Sequence, residues 1–100
     1  MIYGYKFQRG VHQALIDLSQ DNQERFFSTA EVREAFLLSF GYNRDDNYDL
    51  YTDHCFYVRI RNFLNNLVKD EMADRIYQAD DKSKIQVTKF RIKQIEWILK

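Results

Sequence analysis

The most constraining feature of the chain is an amphipathic helix pattern at 53–69 that passes directly into a strand, a turn and a second strand. Asp53 suits the start of this helix, because its side-chain oxygen can accept a hydrogen bond from a free amide of the first turn. One arc of the helix is apolar and comprises Phe56, Ile60, Phe63, Leu64 and Leu67. Residues 73–78 and 85–88 have strand character, and 80–83 have turn character. This order predicts a helix followed by a two-stranded hairpin.

Two further helices are predicted before this segment. The first has one apolar face at helical spacing, formed by Val11, Ala14, Leu15 and Leu18. The second begins at Ser28, which can form a capping box with Glu31 because each side chain can accept a hydrogen bond from the other residue's amide. Gly41 suits the end of the second helix, since glycine readily adopts the left-handed conformation found there.

The two ends of the chain are predicted to be a helix and an arm. Thr88 can cap a closing helix whose main apolar face comprises Ile92, Ile95, Ile98 and Leu99. Phe90 and Trp97 fall on a different face, and a helix with two apolar faces usually has two contacts. Near the N-terminus, aromatic residues alternate with others and predict an extended aromatic arm of Tyr3, Tyr5 and Phe7.

The charges are balanced overall but unevenly distributed along the 100 residues, a length that predicts one domain over 1–100. Residues 1–53 contain five basic and nine acidic side chains, whereas residues 54–100 contain ten and six. The polar arc of the 53–69 helix has cations and amides, and no acid before Asp70. A polar binding face and simple intramolecular pairing would both give this distribution.

Residues 58–70 resemble the recognition helix of winged helix-turn-helix regulators, and residues 71–76 resemble the turn into the first wing strand of that family. Residues 84–89 resemble the second wing strand leading into a closing helix, as in MarR-like and PadR-like proteins. The resemblance covers residues 9–99. It implies a mainly α fold with a small β-hairpin: three helices, a two-stranded wing and a C-terminal helix.

Two departures from that family bear on DNA docking. The connection at 41–53 is much longer than the short turn of the standard motif, so it is a long loop insert between the second and third helices. Met72 and Ala73 stand where the family usually has a glycine before the wing strand. The insert also carries three tyrosines among its acids: Tyr42, Tyr48 and Tyr51. Tyrosine combines apolar area with a polar tip, which suits a protein interface.

The resemblance implies that the third helix enters the major groove of double-stranded DNA while the wing contacts an adjacent groove or backbone. The candidate contacts are Arg61, Asn62, Asn65 and Lys69 on the helix, and Lys82 and Lys84 on the wing. Arginine reads guanine and asparagine reads adenine by paired hydrogen bonds, whereas Lys69 is suited to phosphate. We therefore predict a DNA-binding, transcription-related protein. The alternative is a protein–protein interaction adaptor, because one fold serves many functions.

A homodimer is expected through Phe90, Trp97 and the aromatic arm. Two-fold symmetry would double the weak phosphate attraction of a neutral monomer. In the adaptor alternative, the partner contacts are Tyr48 and Tyr51 of the insert, or the face that carries Trp97.

Catalytic and metal-binding patterns are incomplete, so we expect no enzyme activity, cofactor or metal. Cys55 follows His54 directly, and adjacent helical residues point about 100° apart, which separates a nucleophile from its base. Four positions of a calcium loop are matched by Asp45, Asn47, Asp49 and Asp53. Leu50 and Phe56 replace the required glycine and glutamate. A single cysteine and the lack of an apolar run of about 20 residues predict a cytoplasmic protein outside the membrane.

Overall fold

The computed structural model describes residues 4–80 and 82–93, and these form four helices and a three-stranded antiparallel sheet. The elements in chain order are α1 (Gly4–Asp21), β1 (Phe27–Ser28), α2 (Thr29–Ser39), α3 (Tyr48–Thr52), α4 (His54–Lys69), β2 (Ala73–Ala79) and β3 (Gln86–Ile92). The three helices predicted before the hairpin, and the hairpin itself, are therefore present, but the described part of the domain is of mixed α/β class, with four helices and a third strand, where a mainly α fold with a two-stranded hairpin was predicted.

The sheet has the strand order β1-β3-β2, so β3 is central. In the β2–β3 hairpin Ala73 pairs with Ile92 and Ala79 pairs with Gln86. Two backbone hydrogen bonds between Asp80 and the 84–85 segment, of 2.8 and 2.9 Å, close the loop. The opposite side of β3 pairs with the two residues of β1, a strand that the sequence did not indicate.

The second helix has the ends that were predicted for it. Ser28 Oγ accepts a hydrogen bond from the Glu31 amide at 3.2 Å, and Glu31 Oε1 accepts one from the Ser28 amide at 3.1 Å. Gly41 has a φ of 84°, and the amide of the next residue, Tyr42, donates a hydrogen bond to the Leu37 carbonyl at 3.0 Å. The capping box and the left-handed C-terminal glycine are confirmed.

The core lies between the sheet and the long helices. Helix α4 contributes the apolar arc predicted for it: Phe56, Ile60, Leu64 and Leu67 are buried, and Phe63 is partly buried. Aromatic rings join α1, α2 and α4, because Phe7 lies 5.5 Å from Phe36 and 6.0 Å from Phe56 between ring centroids. This packing fixes which side of α4 faces solvent.

The predicted closing helix does not begin at Thr88, because residues 86–92 form strand β3. Phe90 is fully buried and lies opposite Phe27 of β1, so burial between two strands overrides the helical spacing. Phe90 therefore cannot form part of the predicted dimer surface. Residues 94–100, including Trp97, lie outside the described residues, and so does Tyr3.

The predicted aromatic arm is also replaced by regular structure, because α1 already begins at Gly4. In a helix, residues two positions apart point in different directions. Phe7 is accordingly buried at 5% exposure, whereas Tyr5 is 72% exposed. Phe7 belongs to the core and not to a partner contact.

The insert at 41–53 contains the short helix α3, which the turn chemistry did not predict. Tyr51 of this helix is only 2% exposed, and its hydroxyl donates a hydrogen bond to the Tyr42 carbonyl. Burial raises the pKa of the Tyr51 hydroxyl. The Arg44 guanidinium covers the Tyr51 ring and pairs with Glu34 of α2 at 2.7 Å. Tyr51 is therefore a core residue and is unavailable as the predicted partner contact, while Tyr48 is 61% exposed.

Candidate nucleic-acid interface

The solvent face of α4 contains cations and amides without a carboxylate. From His54 to Lys69 the helix has no aspartate or glutamate. Arg61, Asn62 and Lys69 are exposed, and Asn65 is half-buried beside them. Acids occur only at the two helix ends, where Asp53 accepts a hydrogen bond from the Cys55 amide and Asp70 is the C-cap. The side of the helix that faces water therefore carries cations and, between its two ends, no carboxylate.

A side-chain hydrogen bond joins α4 to the hairpin. The Arg75 guanidinium on β2 donates to Asn65 Oδ1 at 2.7 Å. Arginine has donors and no acceptor, so the amide oxygen of Asn65, and not its nitrogen, must face the guanidinium. Arg75 is itself exposed. The hydrogen bond places a further cation beside the polar face of α4.

The junction between α4 and β2 is a tight turn with left-handed backbone. The Met72 amide donates to the Leu67 carbonyl at 2.8 Å, and the Glu71 amide donates to the Val68 carbonyl at 3.1 Å. This pattern is a Schellman motif, in which the left-handed position usually holds glycine. Here Glu71 occupies it with a φ of 62°. The turn thus forms without the glycine that the sequence lacks at 72–73.

The hairpin loop is organised by the carboxylate of Asp80. Asp80 Oδ2 accepts hydrogen bonds from the amides of Lys82 and Ser83 at 3.1 and 3.0 Å and from Ser83 Oγ at 3.1 Å. The amide of Ser83 is the main cause of a lowered Asp80 pKa. Lys82 and Lys84 are exposed, and Lys84 has a φ of 62°. Two exposed lysines therefore lie at the end of the hairpin, next to the hydrogen bonds that Asp80 accepts.

An open cleft of about 280 Å³ separates the start of α1 from α4. Its lining comprises Gly4, Phe7, Gln8, Arg59, Asn62, Phe63 and Asn66. The Arg59 guanidinium lies over the Phe7 ring, 4.3 Å from its centroid. Arg59 is thus directed toward α1, whereas Arg61 is exposed on the helix surface.

The residues predicted as DNA contacts fall into two groups in the structure. Arg61, Asn62, Asn65 and Lys69 lie along one side of α4, and Lys82 and Lys84 lie in the hairpin loop. The sequence interpretation missed Arg75, because its contact with Asn65 spans ten residues and two elements. The predicted alternation of residues 73–78 could have placed Arg75 on the same sheet face as Ala73 and Tyr77.

The other residues considered as candidates for chemistry are His54, Cys55 and the acids of the insert. The exposed Cys55 follows His54, whose ring stacks on Tyr57 with centroids 6.4 Å apart. Among residues 4–80 and 82–93, no group of three or more His, Cys, Asp or Glu side chains is placed to hold a metal ion. Within the same ranges no helix has the length and apolar character needed to cross a membrane. Comparisons of the chain with protein-family models, curated proteins and solved structures found no match.

Proposed function

We propose that the protein binds double-stranded DNA through α4 and the β2–β3 hairpin, as a transcription-related protein of winged-helix type. The observation that carries this proposal is the carboxylate-free solvent face of α4, which lies beside Arg75 of the hairpin. Attraction between cationic side chains and phosphates supplies essentially all of the affinity of non-specific DNA binding and a large share of the affinity of specific binding. Because the net charge of the chain is zero, the local distribution of cations on α4 is a better indication of DNA binding than the total charge.

The order and geometry of the elements support the winged-helix part of the proposal. A 16-residue helix with one polar face passes through a tight turn into an antiparallel hairpin. Such a helix is about 24 Å long, and the major groove, about 12 Å wide, admits an α-helix. The hairpin that follows would then act as the wing, with Lys82 and Lys84 at its end.

The residues on α4 differ in what they can recognise. Arg61 can form two hydrogen bonds to the O6 and N7 atoms of guanine, and Asn62 can pair with the N6 and N7 atoms of adenine. Lys69, in the last turn of the helix, is suited to phosphate as a point charge. The lysines of the hairpin loop would add phosphate contacts that carry no sequence information.

A titration of a mixed-sequence duplex, followed by fluorescence anisotropy at several salt concentrations, tests the proposal. We expect binding at low salt that weakens steeply as salt rises, because binding releases condensed counterions. Arg61→Ala and Lys69→Ala should each weaken binding, and the loss of a phosphate contact reduces the salt slope by about 0.9. Arg25→Ala is a matched control, because Arg25 pairs with Glu31 and precedes β1 at the opposite edge of the sheet. No binding to duplex at low salt would refute the proposal.

A second candidate function, a protein-interaction adaptor, is favoured by Tyr48. This side chain is 61% exposed on α3 and lies among the acids Asp45, Asp46 and Asp49. An exposed tyrosine in an acidic segment suits a basic partner surface. Tyr48→Ala should abolish capture of such a partner, whereas Tyr5→Ala, which removes a 72% exposed tyrosine from α1, should not. Equal capture by both variants would count against this function.

A homodimer remains part of the DNA-binding proposal, because two copies would double the phosphate contacts. Phe90 cannot contribute, since it is fully buried. Light scattering across a range of protein concentrations measures the mass of the particle in solution and therefore distinguishes a monomer from a dimer. A monomer at the highest concentration would remove dimerisation from the proposal and leave one α4–hairpin surface as the DNA contact.

A further inference from the structure

We infer that Arg75 is a DNA phosphate contact and that Asn65 positions its guanidinium instead of reading a base. This inference rests on the proposed DNA-binding function and deepens it. It reassigns Asn65, which the sequence alone suggested as a reader of adenine, and it adds Arg75 to the contact surface.

The hydrogen bond from Arg75 to Asn65 engages the amide oxygen. Recognition of adenine needs that oxygen as the acceptor for N6–H and the amide nitrogen as the donor to N7. The oxygen has a second lone pair, but the hydrogen bond from the guanidinium at 2.7 Å holds the Asn65 amide toward β2, so pairing with N6 and N7 would require the amide to turn away from Arg75. Asn62 is exposed and forms no side-chain hydrogen bond within the described part of the chain, so its amide keeps both functions.

Arg75 retains the groups that a phosphate needs. A guanidinium has five N–H donors, and the contact with Asn65 uses one of the two terminal nitrogens. Asp74, its acidic neighbour, lies on the other face of the strand and pairs with Arg91 at 3.5 Å. Within residues 4–80 and 82–93, Arg75 forms no ion pair. Its charge is therefore available to a ligand.

The strand register puts Arg75 on the side of the sheet that faces α4. Arg75 lies opposite Phe90, which is fully buried, and directly opposed residues project to the same face. Two residues further along the strand, Tyr77 shares this face and is 70% exposed. The polar side of α4 therefore continues onto the hairpin through Arg75, with an aromatic side chain next to it.

Positioning by Asn65 has a defined physical effect. A free arginine side chain samples many rotamers, and binding must immobilise it at a cost in entropy. The hydrogen bond to Asn65 restricts the guanidinium before DNA arrives, so less freedom is lost in the complex. Removing Asn65 should weaken the contact that Arg75 makes without removing any base contact.

The test is an anisotropy titration of two duplexes, one rich in adenine and one containing only G·C pairs, at several salt concentrations. We expect Arg75→Ala to weaken binding to both duplexes and to lower the salt slope by about 0.9. Asn65→Ala should weaken binding to both duplexes equally, by about twofold to tenfold, because the Arg75 side chain is then no longer restricted before DNA binds. In the Arg75→Ala background, Asn65→Ala should cause no further loss. Arg75→Lys should restore the salt slope, because it restores the charge.

Two matched variants serve as controls. Asn66→Ala removes the neighbouring exposed amide on α4, and Gln78→Ala removes an exposed side chain from the opposite face of β2. Both should bind like the unmodified chain. Thermal unfolding of every variant shows whether a loss of affinity reflects a loss of fold.

Several outcomes would overturn the inference. A loss in Asn65→Ala that is confined to the adenine-rich duplex would make Asn65 a base reader. Unchanged affinity in Arg75→Ala, while the unmodified chain binds, would remove Arg75 from the interface and leave the proposed function intact. If the losses of affinity in Arg75→Ala and Asn65→Ala simply added in the double variant, Asn65 would not act through Arg75. If Arg75→Ala lowered the melting temperature without changing the salt slope, the hydrogen bond would be purely structural. Failure of the unmodified chain to bind either duplex would refute the proposed function itself.

Discussion

Phe27 of β1 and Phe90 of β3 are direct partners across the antiparallel ladder, and both are buried, with exposures of 2% and 0%. Strand β1 has only two residues, so this pair supplies much of the apolar contact that it makes with the sheet. Because α2 begins directly after β1, the same pair also fixes where α2 starts relative to the sheet.

Replacement of Phe90 by alanine should destabilise the fold by about 3–5 kcal/mol, because it leaves a large cavity in the core. Chemical denaturation in urea measures this as a lower midpoint. Tyr77→Ala is the control, since it removes a 70% exposed aromatic ring from the adjacent strand and should shift stability by less than about 0.5 kcal/mol. If Phe90→Ala left the stability unchanged but changed the oligomeric state of the protein in solution, Phe90 would instead be an interface residue.

Features that are encoded within a few residues could be predicted from the sequence. Ser28 and Glu31 are three positions apart, and Gly41 follows the helix that they begin, so both ends of α2 were predicted correctly. The Asp53 cap and the buried arc of α4 were likewise local patterns. Such signals depend on backbone hydrogen bonds and on helical periodicity, which the sequence displays directly.

Features that depend on distant residues were missed. Strand β1 owes its conformation to pairing with residues 89 and 90, more than 60 positions away. The same pairing makes residues 86–92 a strand, although Thr88 and the following apolar residues also fit a helix. The bond between Asn65 and Arg75 joins two elements, and the charge pattern of the sequence could indicate a polar face but not this contact.

Substitution of Gly10 by alanine should have an effect that depends on Phe40. A Cβ atom at position 10 of α1 would lie 2.8 Å from Phe40 Cε2, so the Phe40 ring must shift and weaken its contact with Phe36 at 5.0 Å. Alanine otherwise favours a helix interior over glycine by about 1 kcal/mol. We expect Gly10→Ala to stabilise a Phe40→Ala protein by about 1 kcal/mol and the unmodified protein by much less, or not at all. Equal effects in the two backgrounds, measured in urea, would show that the ring moves freely.

Stability should fall as pH decreases through the range in which His12 titrates. Burial lowers the pKa of His12, and its Nε2 atom is buried without a hydrogen-bond partner within the described residues. Between the lowered pKa and the ordinary value of about 6.5, the unfolded chain binds more protons than the folded chain. The free energy of unfolding therefore rises with pH in this window. Well above about pH 6.5, His12 is neutral in both the folded and the unfolded chain, and the rise due to this residue ends.

Urea denaturation at pH 7.5, 6.5 and 5.5 measures the His12 contribution. The unmodified chain should lose more stability over this interval than His12→Gln, which has no titrating group at position 12. Carboxylates contribute to both proteins alike, so the difference between the two curves isolates His12. Parallel curves would mean that burial of His12 does not disfavour its charged form.

Glycine substitutions at Glu71 and Lys84 should change stability in the same direction and DNA binding in opposite directions. Both residues have a φ of 62°, a left-handed conformation that disfavours side chains with a Cβ. Either glycine removes this strain but increases the freedom of the unfolded chain, for a net stabilisation of about 0.5–1 kcal/mol.

Lys84→Gly also removes a cation from the hairpin loop, whereas Glu71→Gly removes an acid from the turn between α4 and β2. Binding to duplex at low salt should therefore weaken in the first variant and strengthen in the second. Lys84→Ala and Glu71→Ala, which change the charge but keep the strain, should reproduce the changes in affinity without the gain in urea midpoint. Affinities that move together in the two glycine variants would show that backbone strain, and not charge, controls how this surface meets DNA.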